Sequence, residues 1–146
     1  MAPDAYRLRD DARRFETWEN NYAARLGLGV AVDYALALGL ETIEGRCREL
    51  AGLLRDGLRA IPGVTLHDLG PDPAAIVSFS VAGMEADAVK AGCATAGINV
   101  STSRPSSTLL DATARGLPTV VRASPHYFNN DAEIGRALEV IRSAAR

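Results

Sequence analysis

The sequence predicts an α+β domain, a small and mostly antiparallel sheet covered on one face by helices. Short β-branched runs come in neighbouring pairs, around Val64 and Val77 and again around Val100 and Val120. Strands that follow one another closely in the chain pair antiparallel. Apolar residues at helical spacing flank both pairs, as expected of helices laid over one side of such a sheet. The run Val77-Ser78-Phe79-Ser80-Val81 alternates apolar residues with serine, the pattern of a strand with one covered face and one open face.

A chain of 146 residues, 47% hydrophobic and 23% charged, fits one globular domain or a piece of a larger protein. The formal net charge of -2 gives no general attraction for nucleic acid or an anionic membrane. No apolar run spans a bilayer and the N-terminus lacks an apolar signal core, so a cytoplasmic location is expected. Cys47 and Cys93 form no CxxC pair, and His67 lies far from His126. No metal site is expected, and the two thiols are expected to be free and buried.

Residues 1–18 mix both charges with little to bury and read as a polar arm or linker ahead of a domain spanning 19–146. Residues 19–38 read as a helix, with Ala23, Leu26, Val30, Tyr34 and Leu38 near one face. Gly27 and Gly29 weaken that helix and are expected to allow close approach of a neighbouring backbone. Residues 41–61 form the clearest amphipathic pattern: Ile43, Cys47, Leu50, Leu54, Leu58 and Ile61 share a face, with Arg46, Arg48, Arg55 and Arg59 mainly on the others. Strands are expected at 64–69 and 76–81, a third helix at 85–96, and a further strand beginning at Ile98-Asn99-Val100. Residues 101–108, rich in serine and threonine, read as a solvated loop. Val120 and Val121 begin the last strand, and Asn130 with Glu133 forms a capping box that opens a helix over 131–144.

Arg122 follows Val121 directly, so a permanent cation sits at or just inside the end of an apolar strand. Burying it without a partner is too costly, so an anionic group should meet it. The spacing leaves two readings open: an ion pair within the protein, or a receptor for a ligand carboxylate.

Three stretches, in order, resemble the class V aminotransferase and cysteine-desulfurase family. They are Arg14-Phe15-Glu16, Gly97-Ile98-Asn99-Val100, and Arg122-Ala123-Ser124-Pro125-His126-Tyr127-Phe128-Asn129. The resemblance implies the small C-terminal domain of a pyridoxal-phosphate enzyme of fold type I, a homodimer in its parent form, acting on an amino acid. It also implies that Arg122 holds the substrate's α-carboxylate through a bidentate pair. Ser106 stands where desulfurases of the family carry their nucleophilic cysteine, and a hydroxyl does not replace a low-pKa thiolate as sulfur acceptor. Trp18-Glu19 replaces a glycine-threonine pair whose threonine reaches the cofactor phosphate in relatives, which leaves Asn20 and Asn21 as the cofactor-binding candidates.

The family's Schiff-base lysine and phosphate cup belong to a large domain, and the resemblance matches none of these residues to them. Lys90, the only lysine, lies in a helical surface pattern. The chain by itself is therefore expected neither to retain the cofactor nor to turn over substrate, and to need a missing large catalytic domain. The face meeting that domain is expected to be apolar, with Tyr22, Leu26 and Val30 as its candidates. The alternative is a non-catalytic α+β module that binds a small carboxylate or a protein partner.

Overall fold

The structure is a computed structural model and describes residues 4–145, so the first three residues of the expected arm lie outside the described residues. The chain falls into two compact units, one ending at Leu38 and the other beginning at Gly39.

In the first unit, Asp11 caps a short 3-10 turn, Ala12–Phe15, by accepting from the Arg13 N–H. Helix α1, Tyr22–Leu38, begins later than the apolar spacing predicts, because the side chain of Asn21 accepts from the Ala24 N–H at 2.9 Å and opens the helix there. None of its residues is buried. Tyr22, Leu26, Leu28, Val30 and Tyr34 are each more than 60% exposed, so the apolar surface runs around the helix instead of along one stripe. Within this unit, a β-carbon at Gly27 or Gly29 would meet no atom within 4 Å.

The second unit holds helices α2 (Leu40–Arg59), α3 (Ala86–Thr95), α4 (Leu109–Arg115) and α5 (Asp131–Ala144), with strands β1 (Val64–Leu66), β2 (Val77–Val81), β3 (Ser101–Ser103) and β4 (Val120–Ala123). The four strands form one antiparallel sheet in the order β1-β2-β4-β3, as the α+β reading requires. Val77, Phe79 and Val81 of β2 and Val121 of β4 point into a core that they share with Leu50, Leu54 and Leu58 of α2, Val89 and Cys93 of α3, and Ile134 and Ile141 of α5. Burying each large side chain of this set contributes about 1.5–3 kcal/mol. Because side chains alternate across a strand, Ser78, Ser80, Val120 and Arg122 lie on the opposite face, away from α2, α3 and α5.

Glycine matters most where α2 meets α5. A β-carbon at Gly57 would overlap the Leu138 side chain of α5, so a larger residue there would push that side chain aside. Helix α5 opens on the predicted capping box, with Asn130 accepting from the Glu133 N–H and Glu133 accepting from the Asn130 N–H.

Four expectations need correction. Ile98 and Val100 pack against the core after α3 without joining the sheet, and pairing with β4 begins only at Ser101. The segment read as a solvated loop holds the end of the sheet and a 3-10 turn, Pro105–Thr108, and it runs on into α4. Pro105 suits the first helical position, and its fixed φ favours a turn where the serine content had indicated irregular chain. Arg55 does not stand on an exposed face; it is buried at 6% exposure. Of the two free cysteines, Cys93 is buried but Cys47 only half-buried. No single helix among the described residues is long and apolar enough to cross a membrane.

Candidate functional site

The face of the sheet turned away from α2, α3 and α5 carries hydroxyls, the His67 ring, a buried Val120 and one cation. Strand register places Ser78 of β2 and Ser101 of β3 directly across from Arg122, one on each side. His67, just past β1, donates its N–H to the Ser78 carbonyl and extends the same row to the sheet's edge. One strand step along, Thr65, Ser80, Val120 and Ser103 form the parallel row.

Arg122 is half-buried on this face. Its Nε is sealed from solvent and has no hydrogen-bond partner, and no carboxylate among the described residues forms an ion pair with its guanidinium. An unpaired buried donor costs about 1–3 kcal/mol, so native proteins rarely leave one without a reason.

The other polar groups nearby are committed within the chain. Asp68 Oδ1 accepts from the Ser78 N–H at 2.8 Å and from the Ser78 hydroxyl at 2.6 Å. Its Oδ2 takes the Arg55 Nε at 2.8 Å, and Arg55 Nη2 donates to the carbonyls of Ala74 and Ile76. Burial pushes the Asp68 carboxyl upward, yet the bonds from Ser78 and Arg55 together outweigh it and hold the group below the usual carboxylate range. His67 Nε2 and Ser80 Oγ are hydrogen-bonded at 2.8 Å. Burial, helped by the Arg115 guanidinium and opposed by Asp68, holds the imidazole below its ordinary value. Arg115 of α4 also donates to the His67 carbonyl, tying the segment between β3 and β4 to the strand at the far edge.

Beyond Ala123 the chain turns at a buried Pro125. The His126 N–H donates to Asn129 Oδ1, and the Asn129 N–H returns to the His126 carbonyl, both at 2.8 Å. His126, Tyr127 and Phe128 stack with ring centroids 4.5–5.7 Å apart. Arg46 of α2 bonds Asp131 at 2.8 Å and clamps the start of α5. A cavity of about 400 Å³ opens between this turn, α5 and the segment before β3. Arg122 does not line it; Ala123, on the covered face, does.

Asn20 and Asn21 belong to the first unit, where Asn20 is exposed and the Asn21 side chain is engaged in capping α1. Lys90 is exposed on α3, a helix of the covered side, so the sheet separates it from Arg122. Ser106 is exposed in the 3-10 turn. Among the described residues no three His, Cys, Asp or Glu side chains converge on a metal. The Arg55–Asp68 pair escaped the sequence reading, although Arg55 follows Ala51 by one helical turn and precedes Leu58 by three residues, on the buried side.

The model of the class-V aminotransferase family matches residues 1–136. A probable cysteine desulfurase of Xylella fastidiosa is 31% identical over 128 residues, covering 88% of this chain and 30% of that protein. A probable cysteine desulfurase of Synechocystis is 33% identical over 140 residues, covering 91% of this chain and 32% of the relative. The apo structure of a cysteine desulfurase from Thermococcus onnurineus superposes with a TM-score of 0.83 at 27% identity, over 99% of this chain and 36% of that one. The chain thus spans about a third of the length of the relatives it matches.

Proposed function

Since the chain belongs to the class-V aminotransferase family, we propose that it is the C-terminal small domain of a pyridoxal-phosphate-dependent enzyme acting on an amino acid, with Arg122 receiving the substrate's α-carboxylate. The observation that carries the reading is the buried Nε of Arg122, which has no hydrogen-bond partner among the described residues. A guanidinium fork accepts a planar carboxylate through two parallel bonds and so fixes the direction of the substrate's Cα bonds. Strands β2 and β3 flank β4 and hold the base of that side chain, while the capped turn into α5 fixes its exit.

Pyridoxal phosphate, when bound, supplies the electron sink for the reaction. The described residues do not fit it by themselves. Lys90 is the one lysine, and the sheet stands between it and Arg122, so the two groups could not serve a single substrate. The cofactor and the missing large domain therefore go together in this reading, with a homodimer as the parent form and the cytoplasm as its setting. The chain also brings no sulfur-accepting thiolate to the loop after β3. Ser106 stands there, and Cys93 is buried with its thiol pushed up by desolvation.

The test is heat stabilisation of the full chain by L-alanine. Stabilisation is expected in the unchanged protein and absent in Arg122→Lys, whose ammonium keeps the charge but not the fork. Pyridoxal phosphate alone should give no covalent visible band. A band abolished by Lys90→Ala would overturn the division of labour between the two domains.

A further inference from the structure

The ladder that seats Arg122 also selects what stands beside it. Its row across the open face reads His67, Ser78, Arg122, Ser101. Ser78 has given its hydroxyl to Asp68, and the His67 ring is engaged with Ser80. Ser101 differs from both, being exposed, with a hydroxyl that has no partner among the described residues. Directly opposed residues of an antiparallel pair have β-carbons about 4.5–5.5 Å apart. The sealed Nε shows that the Arg122 side chain lies low on the sheet instead of standing off into solvent.

Resting on the carboxylate reading of Arg122, we propose that Ser101 is a second binding residue for the same carboxylate, its hydroxyl donating to an oxygen that the guanidinium already holds. An ionised carboxylate offers about four lone-pair positions. A bidentate guanidinium uses two of them, which leaves acceptor capacity on the side facing β3. The nearest acid of the row's other end, Asp68, is neutralised by Arg55, so nothing there repels the incoming anion. Ser103, on the same face but opposite Val120, lies one step off this row and is the internal control. The consequence is one-sided recognition: β3 supplies a neutral donor to the carboxylate, while β2 supplies none, its hydroxyl being spent on Asp68.

The experiment titrates the full chain with L-alanine and follows the Arg122 Nε–H resonance in nitrogen–proton correlation spectra, assigned by its loss in Arg122→Lys. Ser101→Ala is expected to weaken binding about ten- to a hundredfold, as for loss of one hydrogen bond to a charged group. Ser101→Thr, which keeps the hydroxyl, should bind within about twofold of the unchanged chain, and Ser103→Ala should be unaltered. Unchanged affinity in Ser101→Ala, with heat stabilisation by L-alanine still lost in Arg122→Lys, would overturn the role of Ser101 alone. No response of the Arg122 resonance in the unchanged chain would overturn the carboxylate reading and Ser101 with it.

Discussion

Two arginines of the second unit, Arg55 and Arg122, both bring guanidinium nitrogen out of water and end in opposite conditions. Arg55 is buried at 6% exposure and finds Asp68 and two backbone carbonyls inside the chain. Arg122 is half-buried, and its sealed Nε has no hydrogen-bond partner among the described residues. The first belongs to the architecture, since it ties α2 to the segment after β1. The second holds a donor out of water with no return to the fold itself, which is the pattern of a group positioned for something that comes from outside. The difference separates stability from function within one residue type, and substitutions should separate them further.

The largest effect is expected on the architectural side. Asp68→Asn leaves the Arg55 charge buried without its counter-ion and should destabilise the chain by about 3–5 kcal/mol in denaturant unfolding. A loss below about 1 kcal/mol would mean that the backbone carbonyls alone satisfy Arg55. The same pair should be visible in acid. The folded-state pKa of Asp68 lies below its unfolded value, so its contribution is complete above the unfolded pKa and is lost as pH falls through the folded one. Unfolding followed below about pH 4 should show a slope that Asp68→Asn reduces. His67 adds a smaller dependence at higher pH. Its imidazole is lowered in the folded state, so the unfolded chain takes up the proton first as pH falls below about 6.5, and stability declines there in a way that His67→Gln removes. The smallest effect belongs to Arg122. Arg122→Met should not destabilise the chain, because it removes a sealed donor that has no partner among the described residues. Destabilisation as large as that of Asp68→Asn would erase the contrast between the two arginines.

Local signals were readable wherever chemistry and chain position coincide. The capping box of Asn130 and Glu133 needs residues only three apart, and the serine alternation of β2 follows from the pleat alone, so both were recovered from the sequence. Helix α4 was not, because its exposed Leu109 and Leu110 give no stripe and the serines before it point to irregular chain. The close approach at Gly57 gave no local signal, because only the packing of α5 against α2 places Leu138 there. Arg55 went unrecognised for a similar reason: its partner Asp68 lies 13 residues away and is brought to it by the return of β1.

What the sequence determined by itself was the set of elements with strong periodicity and the presence of a cation at the end of an apolar strand, since these depend on neighbours along the chain. Strand pairing and packing leave this cation without a carboxylate among the described residues, set Ser78 and Ser101 on either side of it, and put Lys90 across the sheet from it. Those facts depend on strand order and register, which bring together residues that no local spacing relates.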